Sequence, residues 1–274
     1  MQLKLKLQAQ QQTVPINYQH FLSSAIYNYL ATADIKFSSD LHESKNFKFF
    51  TFSWLQFPRK KIINSSIKIL SPEFFWYISS PWNEFVQNLV NGLLELGGLR
   101  IGQYTFPITQ TETLPDVILI EAKNLKFSCL SPLVITTKKE YNGKLAKYYY
   151  KPNDNLSEIS EKIRQNLINK YTTFFGKEPK DTKLKIEFDN VYIKSPKAQV
   201  LMHYIKSIFS NSHSLPSIHH SGRSEESRGK TVDIKIPAIM CPFTVTGSQE
   251  LIKFGYECGF GELNSAGFGM VRRI

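Results

Sequence analysis

Hydrophobic and polar residues alternate strictly over residues 2–8, where Lys4 and Lys6 separate Leu3, Leu5 and Leu7. That is the period of a half-buried β-strand. Pro15 interrupts the chain, and over residues 23–31 Ile26, Tyr27 and Leu30 recur at helical spacing. Residues 48–54 are rich in aromatics and alternate again, which predicts a strand, and residues 74–78 predict another. Ser80-Pro81 then reads as a helix start, with serine as the N-cap and proline at the first helical position. The apolar stripe Trp82, Phe85, Val86, Leu89, Val90 and Leu93 carries that helix to Gly97-Gly98. A strand over 117–120 closes the series as β-α-β-β-α-β, the ferredoxin-like order.

A second cycle begins near Phe127. Residues 133–137 predict a strand. Asn155 or Ser157 can cap a helix that carries Ile159, Ile163 and Leu167 on one face. Residues 184–188, 191–193, 235–240 and 269–272 predict further strands. The second helix of this cycle is not evident, and a glycine-rich stretch lies where it belongs. The expected fold class is therefore α+β, two tandem ferredoxin-like (βαββαβ, RRM-like) domains. The first spans residues 1–124. The second, residues 125–274, is irregular and ends in a glycine-rich loop. Residues 211–230 are a low-complexity insert of Ser, Arg, Glu and Gly, expected to be a mobile loop. His213, His219 and His220 lie inside it without ordered flanking partners, so a metal site there is not expected.

Five of the fourteen glycines fall within residues 255–269. Glycine carries an entropic cost, so such a cluster implies positive φ or close approach of the backbone to another group. Bare backbone N–H groups can also form an anion-binding concavity. No Lys-Ser/Thr ending or following helical run is present, so the segment is not a nucleotide-binding fingerprint.

Charge narrows the choice of partner. The net charge is +11, which favours a polyanion, and the excess is uneven: residues 138–206 carry 15 Lys/Arg against 8 Asp/Glu. Within this strip Lys138, Lys139, Lys144, Lys147 and Lys151 interleave with Tyr148, Tyr149 and Tyr150. Lysines pair with phosphates and aromatic rings stack on bases, a combination suited to single-stranded RNA. A basic solvated loop is the competing reading. Arg59-Lys60-Lys61 is a second, smaller basic cluster. Cys129, Cys241 and Cys258 lack CxxC spacing, which argues against a zinc site and a disulfide framework. No signal peptide opens the chain, and no apolar run approaches the roughly 20 residues that span a bilayer. A cytoplasmic location is expected.

The core of the glycine segment, Gly259-Phe260-Gly261-Glu262-Leu263-Asn264-Ser265-Ala266-Gly267-Phe268-Gly269-Met270-Val271, resembles the C-terminal glycine-rich loop of the CRISPR-associated repeat-processing endoribonucleases, the "Cas six" family. Asn17-Tyr18, Ser24-Ala25-Ile26-Tyr27, Leu41-His42-Glu43 and Lys48-Phe49-Phe50-Thr51-Phe52-Ser53 resemble the family's N-terminal motifs. The glycine segment alone identifies the wider superfamily of ferredoxin-like CRISPR RNA-binding proteins, and the N-terminal motifs narrow it.

The resemblance implies cleavage of the CRISPR precursor transcript within each repeat, without metal or other cofactor. In that reaction the 2′-hydroxyl upstream of the cut attacks the phosphate, leaving 5′-hydroxyl and 2′,3′-cyclic phosphate ends. A base, an acid and a stabiliser of phosphoryl charge are required. Carried over position by position, the family's catalytic set falls on Tyr27, His42 and Lys48. His42 suits either proton-transfer role near neutral pH. Lys48 suits a non-bridging phosphate oxygen, and Tyr27 a hydrogen-bond donor or proton shuttle. Which of Tyr27 and His42 is the base is left open, and Tyr29 is a neighbouring alternative to Tyr27. RNA would be held by the lysine strip and by Gly259, Gly261, Asn264, Ser265, Gly267 and Gly269. The expected partner is CRISPR repeat RNA. The runner-up is a non-catalytic RNA-binding subunit of an effector complex. Association with other effector subunits or with a second copy of the chain is left open, and no membrane is expected.

Overall fold

A computed structural model describes residues 1–114, 124–141, 143–208 and 230–274, with side chains throughout except at 203–208 and 230–234. The first sheet is built around β1 (Gln2–Gln8), whose alternating leucines are all buried. It is followed by β2 (Thr13–Pro15), α1 (Gln19–Ala33), α2 (Ile35–Glu43), β3 (Thr51–Phe52), β4 (Lys60–Ile63), β5 (Ser66–Ile69) and β6 (Glu73–Ser79). Then come α3 (Asn83–Leu96), β7 (Gly98–Ile101) and β8 (Tyr104–Leu114). The strand order is β3-β6-β1-β8-β7, with every pairing antiparallel. Helices α1 and α3 pack over a core that includes Leu5, Ile26, Trp76, Phe85 and Phe106. This is the βαββαβ arrangement extended by β7, with β2, β5 and β4 as a small side sheet.

The second sheet repeats the plan. Its elements are β9 (Leu125–Cys129), β10 (Thr136–Tyr141), β11 (Lys144–Tyr149), α4 (Leu156–Phe175), β12 (Leu184–Phe188), β13 (Gln199–Ile208), β14 (Lys230–Ile239), β15 (Phe243–Gly247), α5 (Gln249–Cys258) and β16 (Val271–Arg273). The order β12-β15-β9-β16 is again ferredoxin-like, and α4 and α5 cover a core that includes Phe127, Ile163, Leu167, Phe243 and Phe260. The irregularity has a simple origin. One antiparallel hairpin, β10–β11, is inserted before α4, and a second, β13–β14, is inserted before β15. The helix that was not evident from sequence is α5, which starts where Ser248 accepts a hydrogen bond from the Leu251 N–H.

Several local expectations give way to tertiary contacts. Ser80 does not cap α3. Its hydroxyl donates to the Phe49 carbonyl and accepts from the Trp82 N–H, so the helix starts at Asn83 behind an extended Trp82. The strand expected at 48–54 shrinks to two residues, because Phe49 adopts φ +50° and breaks the extended run. In place of a strand at 191–193, Tyr192–Lys194 form a 3₁₀ turn with Val191 as its N-cap. The Asp189 carboxylate accepts from the N–H groups of Val191 and Tyr192, which offers the backbone a local alternative to a ladder. In the stretch 133–137, Leu133 and Val134 make isolated bridges, and the ladder starts at Thr136. The strand expected at 117–120 and the insert at 211–229, with its three histidines, lie outside the described residues; β8 closes the first sheet instead. Among the described residues no helix is long and apolar enough to cross a membrane.

Candidate active site

Helices α1 and α2 meet at a tight corner. Asp34 caps α2 by accepting from the Phe37 N–H at 2.9 Å, and the Ser38 hydroxyl donates to the Tyr27 carbonyl at 3.1 Å. The corner brings Tyr27, half-buried on α1, against His42 in the exposed last turn of α2. Their ring centroids are 5.2 Å apart in an edge-to-face arrangement at 80°. Lys48 lies on the segment leaving α2. Its ammonium donates to the carbonyls of Leu41 and His42, the latter at 2.8 Å. These are carbonyls that a helix C-terminus leaves without partners, and a cation there also complements the helix dipole. An ammonium has three N–H donors, so one remains to point outward. Partial burial holds the Lys48 pKa below its usual value. The structure thus brings the three residues together from two helices and a loop. Tyr29 does not join them. It is buried in the core, donates to the Gly98 carbonyl at 2.9 Å, and burial pushes its phenol far above the usual range.

Three of the glycine segment's own glycine amides donate within the protein. Gly259 N–H donates to Gly255, Gly267 N–H to Asn264 and Gly269 N–H to Pro132, at 2.8–2.9 Å. The glycines allow close packing. A Cβ on Gly267 would lie 2.5 Å from the Phe52 ring, and one on Gly269 would lie 2.0 Å from the Phe260 carbonyl oxygen, both at positive φ. Asn264 is buried and donates to Phe260 and Phe268. Gly259, Gly261, Gly267, Gly269 and Asn264 therefore form a buried knot, while Ser265 is half-buried and reaches open space.

Lys170 of α4 ties the knot. Its side chain is 3% exposed, and its ammonium donates to the carbonyls of Gly259 and Gly261 and to Asn264 Oδ1 at 3.0, 2.6 and 2.6 Å. Burial lowers its pKa, opposed by Cys258 and Glu262. The sequence carries a signal for this residue. A lysine three positions after Leu167 falls on the apolar stripe of Ile159, Ile163 and Leu167, where a charge must find acceptors. The knot is fastened to the first unit by the Thr51 hydroxyl on the Phe268 carbonyl at 2.8 Å and by Ser23 on Ser265. Between the two units lies a cleft of ≈ 330 Å³ whose walls include Phe47 and Lys48 on one side and Asn166, Asn264 and Ser265 on the other.

The basic strip forms the β10–β11 hairpin. Lys138 stands directly opposite Lys147, a like-charge pair that favours a bound anion. On that same face Lys147 lies 5.2 Å from the Tyr149 ring, and on the other face Lys139 lies 3.8 Å over the Tyr148 ring. Lys144 pairs across the strands with Tyr141 near the turn, and exposed Lys151 follows the hairpin. The Tyr148 and Tyr150 hydroxyls anchor the hairpin to the start of α4 by donating to Asp154 and Glu158. Burial, with the Glu158 carboxylate adding to it, pushes the Tyr150 phenol up to about 12. Among the described residues no three His, Cys, Asp or Glu side chains converge as metal ligands would.

Residues 13–112 match the family profile described as "CRISPR-associated protein Cas6, N-terminal", and residues 112–273 match "CRISPR associated protein Cas6, C-terminal". The chain belongs to the Cas6 family. It is 35% identical over 275 residues to "CRISPR-associated endoribonuclease Cas6 1" of Methanocaldococcus jannaschii, covering 100% of this chain and 93% of that relative. A solved structure described as "CRISPR associated protein Cas6" superposes with a TM-score of 0.72 at 33% identity, covering 100% of this chain and 99% of that one. Another, "An RAMP protein binding different RNA substrates", gives 0.75 at 26% identity with the same coverage.

Proposed function

We propose that this Cas6 protein is a metal-independent endoribonuclease that cuts CRISPR precursor RNA within its repeats to release guide RNAs. The 2′-hydroxyl upstream of the cut loses its proton and attacks the adjacent phosphorus. The bond from phosphorus to the 5′-oxygen breaks as that oxygen gains a proton. The ends are a 2′,3′-cyclic phosphate and a 5′-hydroxyl. One observation carries the reading: Tyr27, His42 and Lys48, contributed by two successive helices and the loop that follows them, meet at one exposed corner. One of Tyr27 and His42 takes the proton from the 2′-hydroxyl, and the other gives a proton to the leaving 5′-oxygen. Lys48 turns its remaining N–H toward a non-bridging oxygen, where charge grows in the transition state. Residues 1–124 form the cutting unit. Residues 125–274 hold the RNA along the β10–β11 hairpin, with Ser265 at the cleft. The names of the family's members and the RNA-binding structural relative support this reading.

The test is cleavage of a repeat RNA in EDTA. Cutting should proceed and should stop when the nucleotide upstream of the cut is 2′-deoxy. A requirement for a divalent ion, or cutting of the deoxy substrate at the same place, overturns the mechanism. A second reading, a non-catalytic RNA-binding subunit of an effector complex, draws on the engagement of Lys48 with the α2 carbonyls. Tight repeat binding with no cleavage in any buffer would favour it.

A further inference from the structure

The cleft beside Lys48 contains two features that the phosphate chemistry does not use. Asn166 on α4 lines it, and the Asn166 Oδ1 atom is buried with no hydrogen-bond partner. A buried acceptor without a donor is costly, so the Asn166 side chain gains by turning that atom toward a donor in the cleft. On the opposite wall Phe47 is 36% exposed, a large apolar ring left at the surface of a polar loop. The backbone holds it there. Phe49, two residues on, takes φ +50°, a costly conformation for a bulky side chain, and its ring packs 5.0 Å from Phe174. Phe47 thus flanks the cleft from a loop anchored to α4. Strain of this kind concentrates where a side chain must be aimed.

We propose that this cleft is a nucleobase pocket for the nucleotide flanking the scissile phosphate. The base stacks on Phe47, and the Asn166 amide reads its edge. At ≈ 330 Å³ the cleft falls at the small end of ligand sites and suits one base rather than a helix. An aromatic face gives sequence-tolerant affinity. Turned into the cleft, the amide adds selection: Oδ1 accepts from an exocyclic amine while Nδ2 donates to a ring nitrogen, the pairing asparagine makes with adenine. Lys48 lines the same cleft, so a base seated there leaves its phosphate at the Tyr27–His42 corner. The pocket rests on the endoribonuclease reading for its meaning but is tested separately from it.

The experiment is a cycle between protein and RNA. Repeat RNAs carrying an abasic nucleotide immediately before or after the cut are assayed with wild type, Phe47→Ala and Asn166→Ala in single-turnover cleavage. The same set in 2′-deoxy form is assayed for binding. One abasic position should cost the wild type roughly tenfold to hundredfold, the range of one lost stack. Phe47→Ala should cost a similar factor on intact RNA, and the two losses combined should not multiply. Phe47→Trp should retain activity. Of two repeat RNAs that differ only in the pocket nucleotide, the wild type should cut the one with adenine faster than the one with uracil, and Asn166→Ala should not distinguish them. Multiplicative losses, or indifference to both abasic positions, overturn the pocket. If no RNA is cut but the cycle persists in the binding constants, the endoribonuclease reading falls and the pocket stands.

Discussion

Replacing Lys170 with methionine should loosen the glycine segment by about 3 kcal/mol. Methionine keeps the length and most of the volume of the stem, so the perturbation is the loss of the ammonium. Three acceptors then lose their donor: the carbonyls of Gly259 and Gly261 and Asn264 Oδ1. Hydrogen bonds to a charged group contribute roughly 1.5–3 kcal/mol each, a gross of about 4.5–9 kcal/mol. Against this stands the desolvation of the ammonium, several kcal/mol for a fully buried ion. What remains in the variant is the cost of three orphaned acceptors, about 1–3 kcal/mol apiece, while the Asn264 Nδ2 group keeps donating to Phe260 and Phe268 and holds that side chain in place. The lower end of that range, about 1 kcal/mol for each of three acceptors, gives the quoted figure.

Native-state hydrogen exchange reads this locally. The Gly267 and Gly269 amides, bonded to Asn264 and Pro132, should lose roughly a hundredfold in protection, because about 1.4 kcal/mol is a factor of ten. Amides in α1 away from the knot should be unchanged. If Gly267 and Gly269 keep protection within threefold of wild type, Lys170 does not hold the segment and the reasoning fails.

His42→Ala should slow single-turnover cleavage of repeat RNA by roughly 10²–10⁴-fold, the usual contribution of a general acid or base, while binding of a 2′-deoxy repeat stays close to wild type; normal turnover removes His42 from the chemistry. Lys48 should lose its charge at a pH below the ordinary lysine value of 10.5, because burial favours the neutral amine. Affinity for the 2′-deoxy RNA should therefore fall as pH rises toward that value, and the fall should be absent in Lys48→Arg, whose guanidinium stays charged; identical pH profiles refute this. Removing both Lys138 and Lys147 as alanines should weaken RNA of every sequence alike and flatten the log–log salt dependence of binding by about 1.4, two single-strand phosphate contacts; an unchanged slope takes the hairpin out of the interface.

The parts of the fold legible in sequence are those where one face of one element meets the core. Leu3, Leu5 and Leu7 announce β1 because their period and their burial coincide. The stripe from Phe85 to Leu93 announces α3 in the same way. What was hidden depends on contacts between distant segments. Ser80 is an ideal cap by type, yet the Phe49 carbonyl claims its hydroxyl. Helix α5 escaped notice because Gly255 sits inside it, where a Cβ would lie 2.9 Å from the Phe260 ring. The second βαββαβ unit was blurred by two inserted hairpins, which add strands without adding to its sheet. The candidate site was legible only through family resemblance. Tyr27, His42 and Lys48 share no period, and it is the corner made by Asp34 and Ser38 that brings them together.

The glycine segment fastens the two units to each other. Its N–H groups at 259, 267 and 269 are engaged internally, and its bulk is excluded by Phe52 from one unit and by Phe260 from the other. Thr51 and Ser23 reach it from the first unit, and Lys170 reaches it from the second. Such a joint sets the separation of the cleft walls, and so the distance between Lys48 on one side and Ser265 on the other. Catalysis is sensitive to displacements of about 1 Å. A segment in which Gly267 and Gly269 cannot accept a Cβ without moving Phe52 or Phe260 therefore constrains the proposed chemistry without touching the reacting atoms. The resemblance that puts the proposed catalytic set at one end of the chain and the glycines at the other acquires a physical reason: the two ends line opposite walls of one cleft.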